Sequence, residues 1–208
     1  MTETAILDGV VRAWRETARL HRFADPIDED GLLAAEARLG RPFPTDLARL
    51  YAATDGFDGF HGDVRIDPAL IAADKADELR DNDWPIAEEL LVFGGDGSDE
   101  RFALWYPEDA APDDPTPVVE IGAIFEGGNL ALVGTTLPRF LRTLTAFRLL
   151  EAGERAVAAM LGAGDVPRSP GLLAPFVERL DPALPFPEPD PYVQRLTSEQ
   201  VSEIVSRL

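Results

Sequence analysis

Closely spaced glycines and prolines divide the stretch from Leu33 to Phe57 into two short helices joined by a tight corner. Apolar residues at helical spacing lead up to Gly40, and glycine can adopt the left-handed conformation that ends a helix. The chain then turns, and Pro44 suits the first turn of a second helix because its missing N–H would have no partner there. Gly56 ends that helix. The stretch therefore predicts a helix, a corner and a second helix.

After Asp81 the apolar period changes from that of a helix to that of a strand. Four short runs are typical of strands: LLVFG from Leu90, RFALWY from Arg101, PVVEIGAIF from Pro117 and NLALVG from Asn129. Turn-forming residues separate them, which favours antiparallel pairing. Helices are predicted within 6–20, 66–81 and 137–150, and a polar loop over 58–67. The predicted fold class is α+β, with an antiparallel or mixed sheet of about four to six strands packed against helices.

The composition changes near residue 164. Eight prolines between Pro167 and Pro191 exclude long regular elements there. Thr197 to Gln200 has the form of a helix capping box, and an apolar stripe of Val201, Ile204, Val205 and Leu208 follows it. We therefore expect one α+β domain over 1–163 and a proline-rich extension over 164–208 with a terminal amphipathic helix. The pattern leaves open whether this extension docks on its own domain or on a partner.

The charge balance is strongly acidic, with 38 acidic residues against 19 basic ones and a net charge of −19. Such a surface repels nucleic acid phosphates and attracts basic partners through long-range steering. Solubility, or adaptation to a salty cytoplasm, would give the same balance. No apolar run approaches the length of a membrane span, and the N-terminus lacks the pattern of a secretory leader, so we expect a cytoplasmic protein with no nucleic acid or membrane partner.

Residues that could carry catalysis or bind a metal are sparse. The absence of cysteine excludes disulfides, thiolate nucleophiles and cysteine-ligated metals. A metal site of His61 with Asp58 and Asp63 is less common in such Asp- and Gly-rich loops than a plain turn. The loop from Asp96 to Glu100 alternates oxygen ligands but lacks the spacing of an EF-hand. We therefore expect no catalytic residue, no metal and no cofactor.

The best candidates for a partner-binding surface are acidic side chains on loops at the sheet ends, with two aromatic residues at the end of one strand. Exposed aromatic residues dominate binding energy when a partner buries them. The predicted partner-binding residues are Asp55, Asp58, Asp63, Asp96, Asp99, Glu100, Trp105 and Tyr106.

The order of these pieces resembles the SUKH superfamily, which includes bacterial immunity proteins and a yeast regulator of cell-wall synthesis. The resemblance covers roughly Ile27 to Leu144. It rests on Glu36 with Leu39-Gly40, the helix from Pro44 to Tyr51 with Asp55-Gly56 after it, the hairpin region from Phe93 to Leu104, Pro117-Val118-Val119, and the helix from Leu137 to Leu141. The proline-rich extension and the N-terminal helix depart from the family pattern.

The resemblance implies an α+β fold and a non-enzymatic protein-binding role, and it brings no catalytic residues. Its bacterial members are commonly immunity proteins, so we expect a protein that binds and neutralises a cognate toxin. Acidity favours a basic, nuclease-like toxin. The alternatives are a regulatory scaffold of the same fold that docks through its C-terminal segment, and a small-ligand- or cation-binding protein or enzyme that uses the loop from Asp96 to Glu100.

Overall fold

A computed structural model describes residues 1–81, 87–96, 100–121, 130–164 and 173–184. The described helices are α1 (Glu3–Glu16), α2 (Glu29–Leu39), α3 (Thr45–Ala53), α4 (Ala69–Asp81), α5 (Leu137–Glu151), α6 (Arg155–Met160) and α7 (Leu173–Leu180). The strands are β1 (His21–Phe23), β2 (Phe57–Gly59), β3 (Val64–Ile66), β4 (Leu90–Gly95), β5 (Arg101–Trp105), β6 (Val118–Ile121) and β7 (Leu130–Gly134). The helix predicted after Thr197 lies outside the described residues.

Local capping defines the helices that the sequence predicted. Asp28 accepts a hydrogen bond from the Gly31 N–H (2.8 Å) at the start of α2, and Thr136 accepts one from Arg139 (3.4 Å) at the start of α5. Gly40 ends α2 in the left-handed conformation, with φ of 83°. The helix–corner–helix prediction for this stretch is therefore confirmed.

The sheet is an antiparallel meander in which the strands lie side by side in chain order from β1 to β7. The α+β class is confirmed, and the sheet has seven strands in the described residues rather than four to six. Most of the additional strands lie in the region that we predicted as a polar loop over 58–67, because β3 lies within it and β2 overlaps its start. Strands of three residues are too short to show an alternating pattern, and only their neighbours in the sheet define them.

The main hydrophobic core lies between the helices and one face of the sheet, which we call the helix face. Trp14 of α1 stacks on Phe57 of β2 with ring centroids 4.1 Å apart, and its indole N–H donates to Thr145 of α5 (2.9 Å). Phe102 of β5 meets Phe140 of α5 edge to face at 4.9 Å. These contacts join the N-terminal helix, the sheet and α5 into one layer-on-layer packing unit.

The opposite face of the sheet, which we call the far face, differs along its width. On β2 and β3 the far-face residues Asp58 and Arg65 are exposed and directly opposed. On β4 to β6 the far-face residues are apolar and buried except for the partly buried Arg101 at the start of β5, so most of these strands is buried on both faces. Strands buried on both faces read as continuous apolar runs, as LLVF does here.

The described part of the C-terminal extension packs on the domain. Phe176 of α7 meets Phe147 of α5 at 6.3 Å, and Val177 and Leu180 are buried in the same core. The buried carboxylate of Asp181 accepts hydrogen bonds from the N–H (2.8 Å) and hydroxyl (2.6 Å) of Thr135, which directly follows β7. Residues 173–184 therefore pack against α5 and are hydrogen-bonded to Thr135 after β7.

Candidate functional site

Four carboxylates from four parts of the chain lie at one end of the sheet, the end where β4 finishes and β5 begins. Asp96 and Glu100 face each other across this hairpin, and the Asp96 N–H donates to the Glu100 carbonyl at 3.3 Å. Asp63 directly precedes β3 at the same end, since Arg65 lies opposite Gly95. Glu120 of β6 completes the group. We call Asp63, Asp96, Glu100 and Glu120 the acidic end.

Glu120 lies on the helix face of the sheet, because it stands opposite Phe102, which packs on α5. Glu100 is two residues before Phe102, so the two glutamates are diagonal neighbours on adjacent strands. Such neighbours are about 7–8 Å apart, which is close enough for their charges to interact through a partly dehydrated environment.

Partial burial disfavours negative charge on the two glutamates of the acidic end. Burial raises the pKa of Glu120 to about 7, and the neighbouring Glu100 and Asp96 raise it further. Burial and the adjacent Asp96 also raise the pKa of Glu100. A cationic group brought to this end would stabilise the ionised carboxylates, so the site is electrostatically suited to a basic ligand.

Asp63 lies at the rim of the acidic end and already has a basic neighbour. Its carboxylate is 3.5 Å from Nη1 of Arg148 on α5, and its side chain is 55% exposed. Arg148 also binds Glu151 at 3.0 Å. Ion pairs this exposed contribute little to stability, so a partner could replace either contact at small cost.

The structure places two of the predicted acidic residues elsewhere. Asp55 lies before β2, at the other end of the sheet, where it accepts a hydrogen bond from the N–H of Ala69 (2.7 Å) at the start of α4. Asp58 is exposed in the middle of β2, between Arg22 of β1 and Arg65 of β3. Asp99 lies outside the described residues.

We predicted that Trp105 and Tyr106 are exposed, and this prediction is wrong. The two side chains are 5% and 1% exposed and lie at the end of the sheet opposite the acidic end. The Tyr106 hydroxyl donates to the Pro42 carbonyl (3.0 Å), and the Arg41 guanidinium stacks on its ring at 3.9 Å. Arg41 also donates to the carbonyls of Tyr106 and Pro107. These contacts hold the corner before α3, at Arg41 and Pro42, against the end of β5.

Glu120 is the member of the acidic end that sequence reasoning missed. It is the single charged residue in the run Val118–Ile121, whose other side chains are buried. A lone carboxylate in an otherwise apolar strand is a signal that the sequence carries, since burying such a group without a role is costly. Its neighbours across the sheet could not be read from the sequence.

Elsewhere, polar groups serve the fold. The buried Asp67 carboxylate binds Lys75 at 2.5 Å and Arg65 at 3.1 Å. The His21 ring accepts or donates a hydrogen bond with Thr17 (2.9 Å) among Phe57 and Phe60, and burial lowers the pKa of His21 to about 4. Within the described ranges, no group of three or more His, Asp or Glu side chains could hold a metal ion.

Comparison with known proteins agrees with this architecture. The family model of the SMI1 / KNR4 family (SUKH-1) matches residues 26–143, which is more than half of the 208-residue chain. The protein belongs to this family. The matched region includes the strands from β2 to β7 and therefore the whole acidic end. No curated protein matches the chain as a relative. Among the described helices, none has the length and apolar character to cross a membrane.

Proposed function

We propose that this protein is a non-enzymatic protein-binding module that acts as an immunity protein, and that it neutralises a basic, nuclease-like toxin. The observation that carries the proposal is the clustering of Asp96, Glu100 and Glu120 at one end of the sheet, the end at which Asp63 also lies. Family membership supports the protein-binding class, since SUKH proteins commonly bind partner proteins. Because Trp105 and Tyr106 are buried, we assign recognition of the partner to the carboxylates.

Charge complementarity supports a basic partner. The net charge of −19 steers a basic protein toward this molecule, and the acidic end offers Glu100 and Glu120, whose pKa values are raised by burial and by neighbouring carboxylates. A lysine or arginine of a toxin would stabilise the ionised form of these glutamates. Binding should therefore strengthen as pH rises through 7 and release protons, because Glu120 must ionise to pair with a cation.

The experiment starts with capture of partners by the tagged protein from extracts of the source cells at low salt, followed by elution with salt. A captured basic toxin domain is then purified, and its activity is measured with increasing amounts of the protein. The proposal expects full inhibition at an equimolar ratio and weaker binding as the salt concentration rises.

Two matched triple variants locate the binding surface. Asp63→Asn with Asp96→Asn and Glu100→Gln removes three charges from the acidic end and should weaken binding at least about tenfold, which is roughly 1.4 kcal/mol. Asp8→Asn with Glu16→Gln and Glu108→Gln changes the net charge equally at exposed positions elsewhere and should weaken it less than about threefold.

Other outcomes reject the proposal. A partner that is bound but keeps its activity would favour the regulatory scaffold. No protein partner, together with a rise in the melting temperature when calcium or magnesium is added, would favour the cation-binding class. Equal losses for the two triple variants would mean that the acidic end is not the binding surface.

A further inference from the structure

Two neighbouring helices, α2 and α4, expose large apolar side chains to solvent. Leu33 of α2 is 54% exposed, and Leu70 and Ile71 of α4 are 50% and 46% exposed. The other exposed large apolar side chains in the described part of the chain are Met1, Phe23 and Met160. Single exposed apolar residues are ordinary on a protein surface, whereas several on one surface are typical of an interaction site.

The contacts of the two helices show that they run side by side in the same direction. Both begin near Asp55, whose N–H donates to the Asp25 carbonyl (3.1 Å) and whose carboxylate accepts from the Ala69 N–H (2.7 Å). Further along, α2 packs against α4, and Nε of Arg38 lies 2.6 Å from the Asp74 carboxylate. Helices that are close at their starts and again at this ion pair are roughly parallel.

This arrangement brings the exposed apolar residues to the same part of the surface. Leu33 precedes Arg38 by five residues and Ile71 precedes Asp74 by three, so they lie about 7.5 Å and 4.5 Å before the ion pair along their helices. Neighbouring helix axes are about 8–10 Å apart. Two alanines of α2 are exposed beside Leu33. We call Leu33, Ala34, Ala37, Leu70 and Ile71 the apolar patch.

The charges around the apolar patch are mostly negative. The exposed ionisable side chains described on α2, on α4 and in the segment 25–28 before α2 are Asp25, Asp28, Glu29, Asp30, Arg38 and Asp74. Five of these six are acidic, and Arg38 is already paired with Asp74. An apolar surface with an acidic rim is complementary to an apolar surface with a basic rim.

We propose that the apolar patch binds an amphipathic helix of a partner protein, with apolar residues along one side and lysine or arginine on its flanks. Such a helix presents apolar residues three and four positions apart, which suits the surface between two parallel helices. A second copy of this chain fits less well, because it would bring two acidic rims together on molecules of net charge −19.

The apolar patch is separate from the acidic end. Asp55, beside the start of both helices, lies at the end of the sheet away from the acidic end. The inference therefore does not depend on the proposed toxin, and each surface can be tested without the other.

The test uses a synthetic helix as the probe. A fluorescein-labelled peptide of about 18 residues carries leucine at helical spacing along one side and lysine elsewhere. Its binding to the full-length chain is measured by fluorescence anisotropy at about 0.15 M sodium chloride. One control peptide has the same residues in an order without the apolar stripe, and a second has glutamate in place of lysine. The first peptide should bind at least about tenfold more tightly than either control.

Matched variants locate the binding surface. Leu33→Gln with Ile71→Gln should weaken binding of the basic amphipathic peptide at least about tenfold, because it removes apolar contacts from both helices. Met160→Gln, at a position that is 53% exposed on α6, is the control and should weaken it less than about twofold. All three positions are exposed, so the variants should keep the wild-type circular dichroism spectrum.

A charge variant separates this surface from the acidic end. Asp63→Asn with Asp96→Asn and Glu100→Gln should leave the affinity for the peptide within about twofold of the wild type. Equal binding of the peptide without the stripe, or equal losses in the double variant and in Met160→Gln, would overturn the proposal, because general charge attraction would then explain the binding. Sedimentation that shows a wild-type dimer, and a monomer for the double variant, would overturn it in favour of a second copy.

Discussion

Glu120 shows how one side chain acquires its chemistry from its position. Its own sequence neighbours are apolar, and burial on β6 raises its pKa to about 7, with a further contribution from Glu100 and Asp96. The folded protein therefore binds a proton that the unfolded chain, with an ordinary glutamate pKa near 4.5, has lost at neutral pH. The stabilisation from this proton is complete below pH 4.5 and disappears as pH rises through 7.

We expect Glu120→Gln to flatten the dependence of stability on pH between 6.5 and 8.5. The wild-type protein should lose roughly 0.5–1 kcal/mol more unfolding free energy over this range than the variant, because only the wild type ionises a buried carboxyl. Denaturant titrations at several pH values measure the unfolding free energy of both proteins. His21, whose pKa burial lowers to about 4, contributes equally to the wild type and the variant, so its effect cancels in the comparison.

Exposed Glu108→Gln is the matched control for this variant, and it should follow the wild-type curve. Parallel curves for the wild type and Glu120→Gln would show that Glu120 is already ionised at pH 6.5, which contradicts the raised pKa.

At the scale of elements, α7 depends on one buried carboxylate as well as on apolar contacts. Asp181 is 1% exposed, accepts two hydrogen bonds from Thr135, and lies 3.6 Å from Nη1 of Arg139. Arg139 is itself bound to Glu3 of α1 at 2.9 Å. A buried charge with these partners links α7, the start of α5 and α1.

We expect Asp181→Asn to destabilise the protein by about 2–4 kcal/mol, because the amide places an N–H₂ group or a neutral oxygen where two donors and a guanidinium require a carboxylate. Exchange of the α7 amides with deuterated solvent should increase more than that of β5. The exposed Glu178→Gln on the same helix should leave exchange and stability nearly unchanged. A similar change in α7 and β5 would indicate that Asp181 stabilises the whole fold rather than the docking of α7.

At the scale of the whole molecule, the excess of acidic residues opposes compaction. A net charge of −19 on 208 residues repels itself in the folded state more than in the expanded chain. Exposed ion pairs such as Arg38–Asp74 and Arg19–Glu154 compensate for little of this repulsion.

We therefore expect sodium chloride to raise the melting temperature by several degrees. Most of the rise should occur below about 0.2 M, where the screening length falls to about 7–8 Å, and little should follow at higher salt. Thermal unfolding monitored by circular dichroism measures it. An equal concentration series of sucrose, which does not screen charge, should give a gradual rise without this plateau. A melting temperature that falls with salt would mean that attractive pairs outweigh the repulsion.

The sequence alone determined the features that depend on neighbouring residues. Gly40, Pro44 and Gly56 defined the helix–corner–helix unit, and the runs beginning at Leu90 and Arg101 defined two central strands, because caps, turns and periodicity act within a few residues. Their order was sufficient for the family resemblance that the comparison with known families confirms. The net charge follows from composition and needs no fold.

Tertiary structure decided everything that depends on contacts between distant residues. The short strands β1 to β3 exist only through pairing with each other and with β4, and the burial of Tyr106 follows from its contacts with Arg41 and Pro42. The meeting of Glu120 with Glu100 and Asp96 depends on the register of β5 against β6. Pairing and burial are set by the packing of the complete chain, so no local pattern specifies them.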